Sequence, residues 1–144
     1  MANTLYPNFG SLMLGDAGAS HTLPDLSAPS GTGVISILVD TGTYTYSAAH
    51  ADIADLSGQV GSDAALTSTT VAAGVWDAAT PITHSGVSGN TIEGVVFAHD
   101  NGSSDATSPL IVFYDTDTGG AISITPNSGD IEIALGASII DLIT

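Results

Sequence analysis

Asp115, Asp117 and Gly119 lie in the stretch FYDTDTGGAISI, with the spacing that opens a calcium-binding loop. Such a loop takes oxygen ligands at positions 1, 3, 5, 7 and 9 and a bidentate Glu at position 12. Counted from Asp115, position 5 is Gly119 and position 12 is Pro126, so the pattern fails after two ligands. Apolar LIVFY before the stretch, DTGG at its tip and alternating AISI after it read as a β-hairpin instead. Asp115 and Asp117 stay as the metal candidates, for Ca²⁺ by their oxygen chemistry, and no cofactor is expected.

The other chemistry-bearing residues are scattered. His21, His50, His84 and His99 show no i, i+4 pair and no HExxH. His99 beside Asp100 would make an oriented base, but the pair ends an apolar run and reads as a strand-end turn. There is no GxSxG elbow; HSGVSGN at 84–90 is a turn sequence. Phosphoryl transfer calls for Lys, Arg or a built Mg²⁺ site, and the chain has neither Lys nor Arg. Asp52 and Asp55 have the chemistry of a glycosidase pair, yet the helical pattern around them puts both on a solvent face. Trp76, the one Trp, reads as a core or subunit-contact anchor. No catalytic residue is assigned, and the chain is not expected to be an enzyme.

Composition narrows the partners. The 144 residues fit one domain, and 43% of them are hydrophobic, enough for a core. Fifteen acidic residues face no Lys or Arg, a formal net charge of −15. Carboxylates in such a chain must be solvated, bonded to backbone or hydroxyls, bound to cations, or met by another protein. Without Lys and Arg neither nucleic acid nor an anionic membrane is an expected partner, which leaves a basic protein surface. There is no Cys, so disulfides and thiolate chemistry are out. The first residues lack the positive region of a secretory signal, and runs such as VISILV are far short of a spanning helix.

The elements that would position these residues are mostly strands. Residues 1–33 read as an N-terminal arm, with a short helix over about 8–14 that Pro7 starts and Gly15 ends, then a Gly/Pro-punctuated loop. Residues 34–144 read as a β-rich domain. VISILV (34–39) and TYTYS (43–47) are predicted strands, the latter with Tyr44 and Tyr46 on one face. SAAHADIADLSG (47–58) reads as a helix capped by Ser47 and stopped by Gly58. Further strands are predicted at 66–72, 74–77, 80–85, 91–99, 109–115, 120–125, 130–135 and 138–143. LIVFY is apolar on both faces, as a strand covered on both sides would be. The fold class is mainly β: a single-domain antiparallel β-sandwich or barrel-like fold with an extended N-terminal arm and one short helix. Residues 100–108 read as a long loop that is either an exposed contact loop, with Asp100 and Asp105 offered to a partner, or a simply flexible connection. With no Lys to guard sheet edges, those edges are safest when paired, so a homo-oligomer is expected.

Several segments, in order, resemble a family of small structural proteins of tailed bacteriophages. They are LVDT at Leu38–Thr41 with an aromatic segment after it, Asp55-Leu56, GVWDA at Gly74–Ala78, TSPLI at Thr107–Ile111 and TPN-x-GDI at Thr125–Ile131, with a fainter echo at Leu5, Tyr6 and Leu12–Gly15. The chain departs from the family in its lack of Lys and Arg, its Gly/Pro-rich arm and its ending LGASIIDLIT. The resemblance implies a virion component made in the host cytoplasm: a head decoration or cement protein, trimeric, on the capsid exterior, with the major capsid protein as partner. Leu5, Tyr6, Phe9 and Trp76 are the apolar contact residues expected on that reading. The alternative is a β-sandwich recognition module of a phage fibre or tail that binds a host surface glycan, with Ca²⁺ at Asp115 and Asp117.

Overall fold

VISILV and GVVFAH are dense in Val, Ile and Phe, which suit a pleated surface covered on both sides. They form the two longest strands and pair antiparallel from Val34–His99 to Val39–Gly94. The computed structural model describes residues 3–16, 21, 23–27, 33–79, 81–117, 119–134 and 139–141. In chain order the elements are β1 (Thr4–Leu5), α1 (Pro7–Met13), β2 (Val34–Val39), β3 (Ala64–Ala65), β4 (Thr70–Ala72), β5 (Val75–Asp77), β6 (Ile82–His84), β7 (Gly94–His99), β8 (Leu110–Tyr114), β9 (Thr116–Asp117), β10 (Gly120–Ala121), β11 (Ile131–Ile133) and β12 (Ile140–Asp141). Among the described residues the chain is mainly β, with one α-helix and a sandwich-like arrangement.

A five-stranded antiparallel sheet, in the order β1-β8-β7-β2-β3, carries the molecule. Its two faces lie in different apolar layers. Leu38, Val95, Phe97 and Ile111 point into the layer that also holds Trp76, Ile82 and Ile131, from β5, β6 and β11. Ile37, Val39, Val96 and Phe113 point into the layer that holds Tyr6, Tyr44 and Ile53. The register of β7 against β8 shifts between Phe97↔Val112 and Ala98↔Leu110, which makes Ile111 the extra residue of a bulge. Ile111 and Val112 therefore both belong to the first layer. Gly94 is required where β7 begins, because a Cβ there would meet Phe113 at 2.7 Å and Val39 at 3.0 Å.

The described part of the expected arm is not a separate piece. Thr4 and Leu5 pair with Phe113 and Val112 at the edge of the main sheet. A seven-residue helix is too short to hold on its own propensity. Packing holds α1: Phe9 and Leu12 are buried, and each such side chain contributes about 1.5–3 kcal/mol by its burial. Pro7 opens the helix as predicted, and Gly15, at φ 79°, ends it.

Two predicted elements are absent. The helix expected over 47–58 is a single 3-10 turn, Ile53–Asp55. Tertiary contacts take the backbone groups that a helix would use: Ile53 N–H donates to Ser108 O, and Ala51 O accepts from Leu110 N–H, both at 2.9 Å. Ser47 accepts from the Ala49 amide at 3.2 Å, a local turn and not a helix cap. The strand expected over 43–47 is irregular, because Tyr44 N–H turns back to Asp40 O at 2.8 Å. Tyr44 and Tyr46 still pack on the same side of the sheet. Most remaining predicted strands are present but shorter, and 66–72 is reduced to Thr70–Ala72 after Ser68 turns at φ 52°.

Candidate functional site

DTDTGG is the hairpin tip. Thr116 and Asp117 pair with Ala121 and Gly120, and Asp117 Oδ1 accepts the Gly119 N–H at 2.7 Å. That oxygen stabilises the turn. Asp115 sits lower, half-buried at the β8–β9 junction. No cluster of three or more His, Cys, Asp or Glu with metal-holding geometry occurs among the described residues. Asp115 and Asp117 are thus two carboxylates on one hairpin, outside any such cluster among the described residues.

The same use of carboxylates runs through the molecule. Asp40 accepts from Gly42 N–H at 2.7 Å, Asn90 Nδ2 at 2.7 Å and Thr43 Oγ1 at 3.1 Å. The Asn90 amide first, then the Gly42 N–H, hold its carboxyl below the usual range. Gly58 is needed beside it: at φ 62° its Cβ would lie 2.8 Å from Asp40 O. Asp55 Oδ2 accepts from the amides of Ala51 at 2.7 Å and Asp52 at 3.1 Å, and the Ala51 bond leads in lowering its pKa. Asp130 takes the Gly86 amide at 2.9 Å. Asp52 instead meets an imidazole: His21 Nε2 lies 2.5 Å from its Oδ1. Burial still pushes the Asp52 carboxyl up, against the pull of His21. Asp55 therefore shapes a turn and Asp52 pairs with His21, and a 3-10 turn stands in place of the expected helix.

His84 is the site that sequence reading missed. Its Nδ1 lies 3.0 Å from Ser62 O, so Nδ1 carries the proton, and Nε2 accepts from Ser36 Oγ at 3.0 Å. A Ser hydroxyl donating to a His nitrogen is how a nucleophile meets its base. Ser36 is 0% exposed and His84 1%, however, so no substrate reaches them. Burial lowers the His84 pKa, opposed by the Ser62 bond and by Asp63. The pair is a polar pin between β2 and β6. No local motif marks it, since Ser36 and His84 are 48 residues apart.

The expected contact residues divide. Tyr6 and Phe9 are fully buried and Trp76 is 3% exposed. Tyr6 OH bonds Tyr44 OH at 2.7 Å, and Trp76 Nε1–H donates to Leu26 O at 3.2 Å. These side chains anchor their own chain and leave no surface for a partner. Leu5 is half-buried against the first layer. Asp105 is exposed and Asp100 half-buried, on the loop after β7. That loop is knitted by its own side chains: Asp100 Oδ1 accepts Gly102 N–H at 2.8 Å, and Asn101 Nδ2 donates to Thr107 O at 2.7 Å. Asp63 joins their patch; burial and then the charges of Asp105 and Asp100 raise its pKa, against the pull of His84.

Two surface features remain. One is a groove of about 410 Å³ between residues 41–46 and the hairpin, where Tyr46, Phe113, Glu93 and Asp115 meet. The other is a shallow apolar hollow at Met13, Leu23 and Val71. Leu14, Leu23 and Val71 are 90%, 51% and 53% exposed, which the sequence pattern did not indicate. No family model matches this chain, nor does any curated protein or solved structure to which it was compared.

Proposed function

We propose that this chain is a non-enzymatic virion structural protein, a decoration or cement protein that binds the outer face of a major capsid lattice as a homo-oligomer, a trimer, and stabilises it. The observation that carries this reading is the charge. Fifteen carboxylates face no Lys or Arg, and those with partners inside the chain take them mostly from backbone N–H groups. The outer surface has one sign, and a basic protein surface complements it. The ordered motifs from Leu38 to Ile131 narrow that partner to a phage capsid.

Asp100 and Asp105, with Asp63, would meet basic residues of the capsid. Such contacts raise the on-rate and set register more than they add affinity. The exposed apolar hollow at Met13, Leu23 and Val71 supports contact between copies. Stabilisation then follows from mass action, because the protein binds the assembled lattice and not the dissociated subunits.

Co-sedimentation with capsids lacking the protein tests the reading. Binding on the order of hundreds of copies per capsid is expected from a lattice site repeated across the shell, with capsids then surviving higher temperature. A handful of copies per particle, or none, would overturn it and point to a tail or fibre.

A further inference from the structure

We propose that β4 is a docking edge for a second copy of this chain, whose own β4 pairs with it antiparallel about a two-fold axis, Val71 opposite Val71. The contact deepens the homo-oligomer of the reading above; it rests on that reading for the lattice it serves, but not for the pairing itself. β4 and β5 form a hairpin in the register Thr70–Asp77, Val71–Trp76 and Ala72–Val75. The turn between them has two residues, Ala73 and Gly74, both at positive φ, 50° and 80°. A two-residue turn of that kind matches the twist of its strands. The residues that flank it, Ala72 and Val75, make a hydrogen-bonded pair, so the next pair, Val71 and Trp76, is not one. Trp76 agrees: its carbonyl turns to the other side and accepts the Ile139 N–H at 2.8 Å. The N–H and C=O of Val71 therefore point away from β5, out of the sheet edge.

That edge is open. β4 ends the sheet order β12-β5-β4, and among the described residues no strand lies beyond it. All three of its residues are exposed. The side chains there are apolar as well. Among the described residues the exposed large hydrophobics are Leu14, Leu23 and Val71. Leu23 and Val71 line the shallow hollow with Met13, and Leu14 follows Met13 in the chain. A free strand edge and an apolar patch thus coincide at Val71. Natural edges are kept from pairing by Lys, Pro, a bulge or an inward charge. Thr70, Val71 and Ala72 carry none of these.

Charge selects the occupant. Two copies of a chain with a net charge of −15 repel each other over most of their surface, and they approach best where neither presents carboxylates outward. β4 has no charged residue. Asp25, the carboxylate that lines the hollow, is turned onto its own chain, accepting the Ser27 N–H at 2.9 Å and the Ser27 hydroxyl at 2.6 Å. Asp77, across the ladder from Thr70, accepts the Ala78 N–H at 2.8 Å. A basic partner finds its complement on the carboxylate-rich loops instead. Pairing through Val71 is also self-complementary. Each Val71 gives its N–H to the C=O of the other and takes one in return, while Thr70 falls opposite Ala72 of the second copy. Two three-stranded sheets join into one, with the two Val71 side chains side by side. The contact is small, which suffices for copies that a lattice holds at high effective concentration.

The chain has no Cys, so single cysteines report the register. Full-length Thr70→Cys and Ala72→Cys proteins are expressed alone and together, treated with oxidised glutathione, and run on a denaturing gel without reductant. Expressed together, the two thiols face each other as a non-hydrogen-bonded pair with Cα atoms about 4.5 Å apart, within the reach of a disulfide. Alone, each meets its own kind only on the diagonal, at about 7–8 Å, beyond that reach. At least about tenfold more covalent dimer is expected from the pair than from either protein alone. Added salt should raise the yield by screening two like-charged bodies. Val71→Asp in both proteins should abolish it, and Glu132→Gln, at an exposed position of β11, should not. No dimer from the pair, equal dimer in all three samples, or a yield that salt lowers would each overturn the proposal. Capsid binding by a protein that gives no such dimer would overturn the pairing alone. Dimer formation without capsid binding would sink the capsid reading and leave the pairing standing.

Discussion

On one face of the five-stranded sheet, β5, β6 and β11 close an apolar layer with strands of their own. On the other, residues 40–58 close the layer with irregular chain. The first face is mostly dry, and its polar contacts include the Ser36–His84 pin and the Trp76 Nε1–H bond to Leu26 O. The second is threaded by polar contacts: Tyr6 to Tyr44, Tyr44 to His50 at 3.1 Å, and the carboxylate turns of Asp40 and Asp55. Strands satisfy their backbones by pairing, so their side chains are left for apolar packing. Irregular chain must satisfy its backbone with side chains, and that leaves polar groups near the surface. The acid-walled groove lies on this second face for that reason.

The comparison is open to breaking, and the largest effect belongs to the strand-covered face. Phe97→Ala removes a fully buried ring that meets Trp76 and Tyr114 edge-on, and should cost about 3–5 kcal/mol in denaturant unfolding. A loss no greater than that of a surface change would mean this face is not the principal core.

The pin comes next. Ser36→Ala leaves His84 Nε2 buried without its donor, and should cost about 1–3 kcal/mol. It also has a pH signature. Burial lowers the pKa of both His84 and His99, with Asp100 opposing at His99. Below about pH 6.5 the unfolded chain therefore binds more protons than the folded one. Stability should be full above that pH and fall as pH drops through the lowered folded values. Thermal melts from pH 7.5 to 5 should show the decline, and His84→Gln should flatten part of it. A rise in melting temperature over that range would refute the assignment.

Smaller effects are expected where polar contacts are redundant. Tyr6→Phe removes one hydroxyl, but Tyr44 keeps His50, so about 0.5–1.5 kcal/mol should be lost. Asp40→Asn keeps an acceptor for the Gly42 N–H but weakens it, and should cost less, with faster amide exchange confined to the turn at residues 42–44. Global loss of protection would show that the irregular face is as cooperative as the other. The smallest effect is general: added salt should raise the melting temperature by screening like charges, and a flat response would mean the carboxylates are already neutralised in pairs.

Much of the strand-covered face was legible in the sequence. Residues 34–39, 94–99 and 110–114 announce themselves by composition, and the hairpin at 116–121 by its turn residues. The short helix after Pro7 was legible too, at its Pro and Gly ends. The other face was not. SAAHADIADLSG has helical spacing, but the backbone of Ala51 and Ile53 is claimed by residues 108–110, which no local pattern reveals. TYTYS alternates correctly yet has no strand beside it. The apolar character of Leu5, Tyr6 and Phe9 fits an inter-subunit anchor as well as a core, because burial within the chain and contact with a partner leave the same trace in one sequence. The groove and the Ser36–His84 pin are assembled from residues far apart in the chain, so no spacing rule finds them.

The knitted loop after β7 also sets how this molecule ages. Asn followed by Gly is chemically fragile, because the glycine nitrogen attacks the asparagine side chain, closes a succinimide and leaves an acid behind. In Asn101–Gly102 the attacking nitrogen is occupied: its N–H is bound to Asp100 Oδ1 at 2.8 Å. The side-chain amide of Asn101 is tethered to Thr107 as well. Deamidation at this site therefore waits on the opening of the loop, and the mass gained there records how long each molecule has spent with that loop undone.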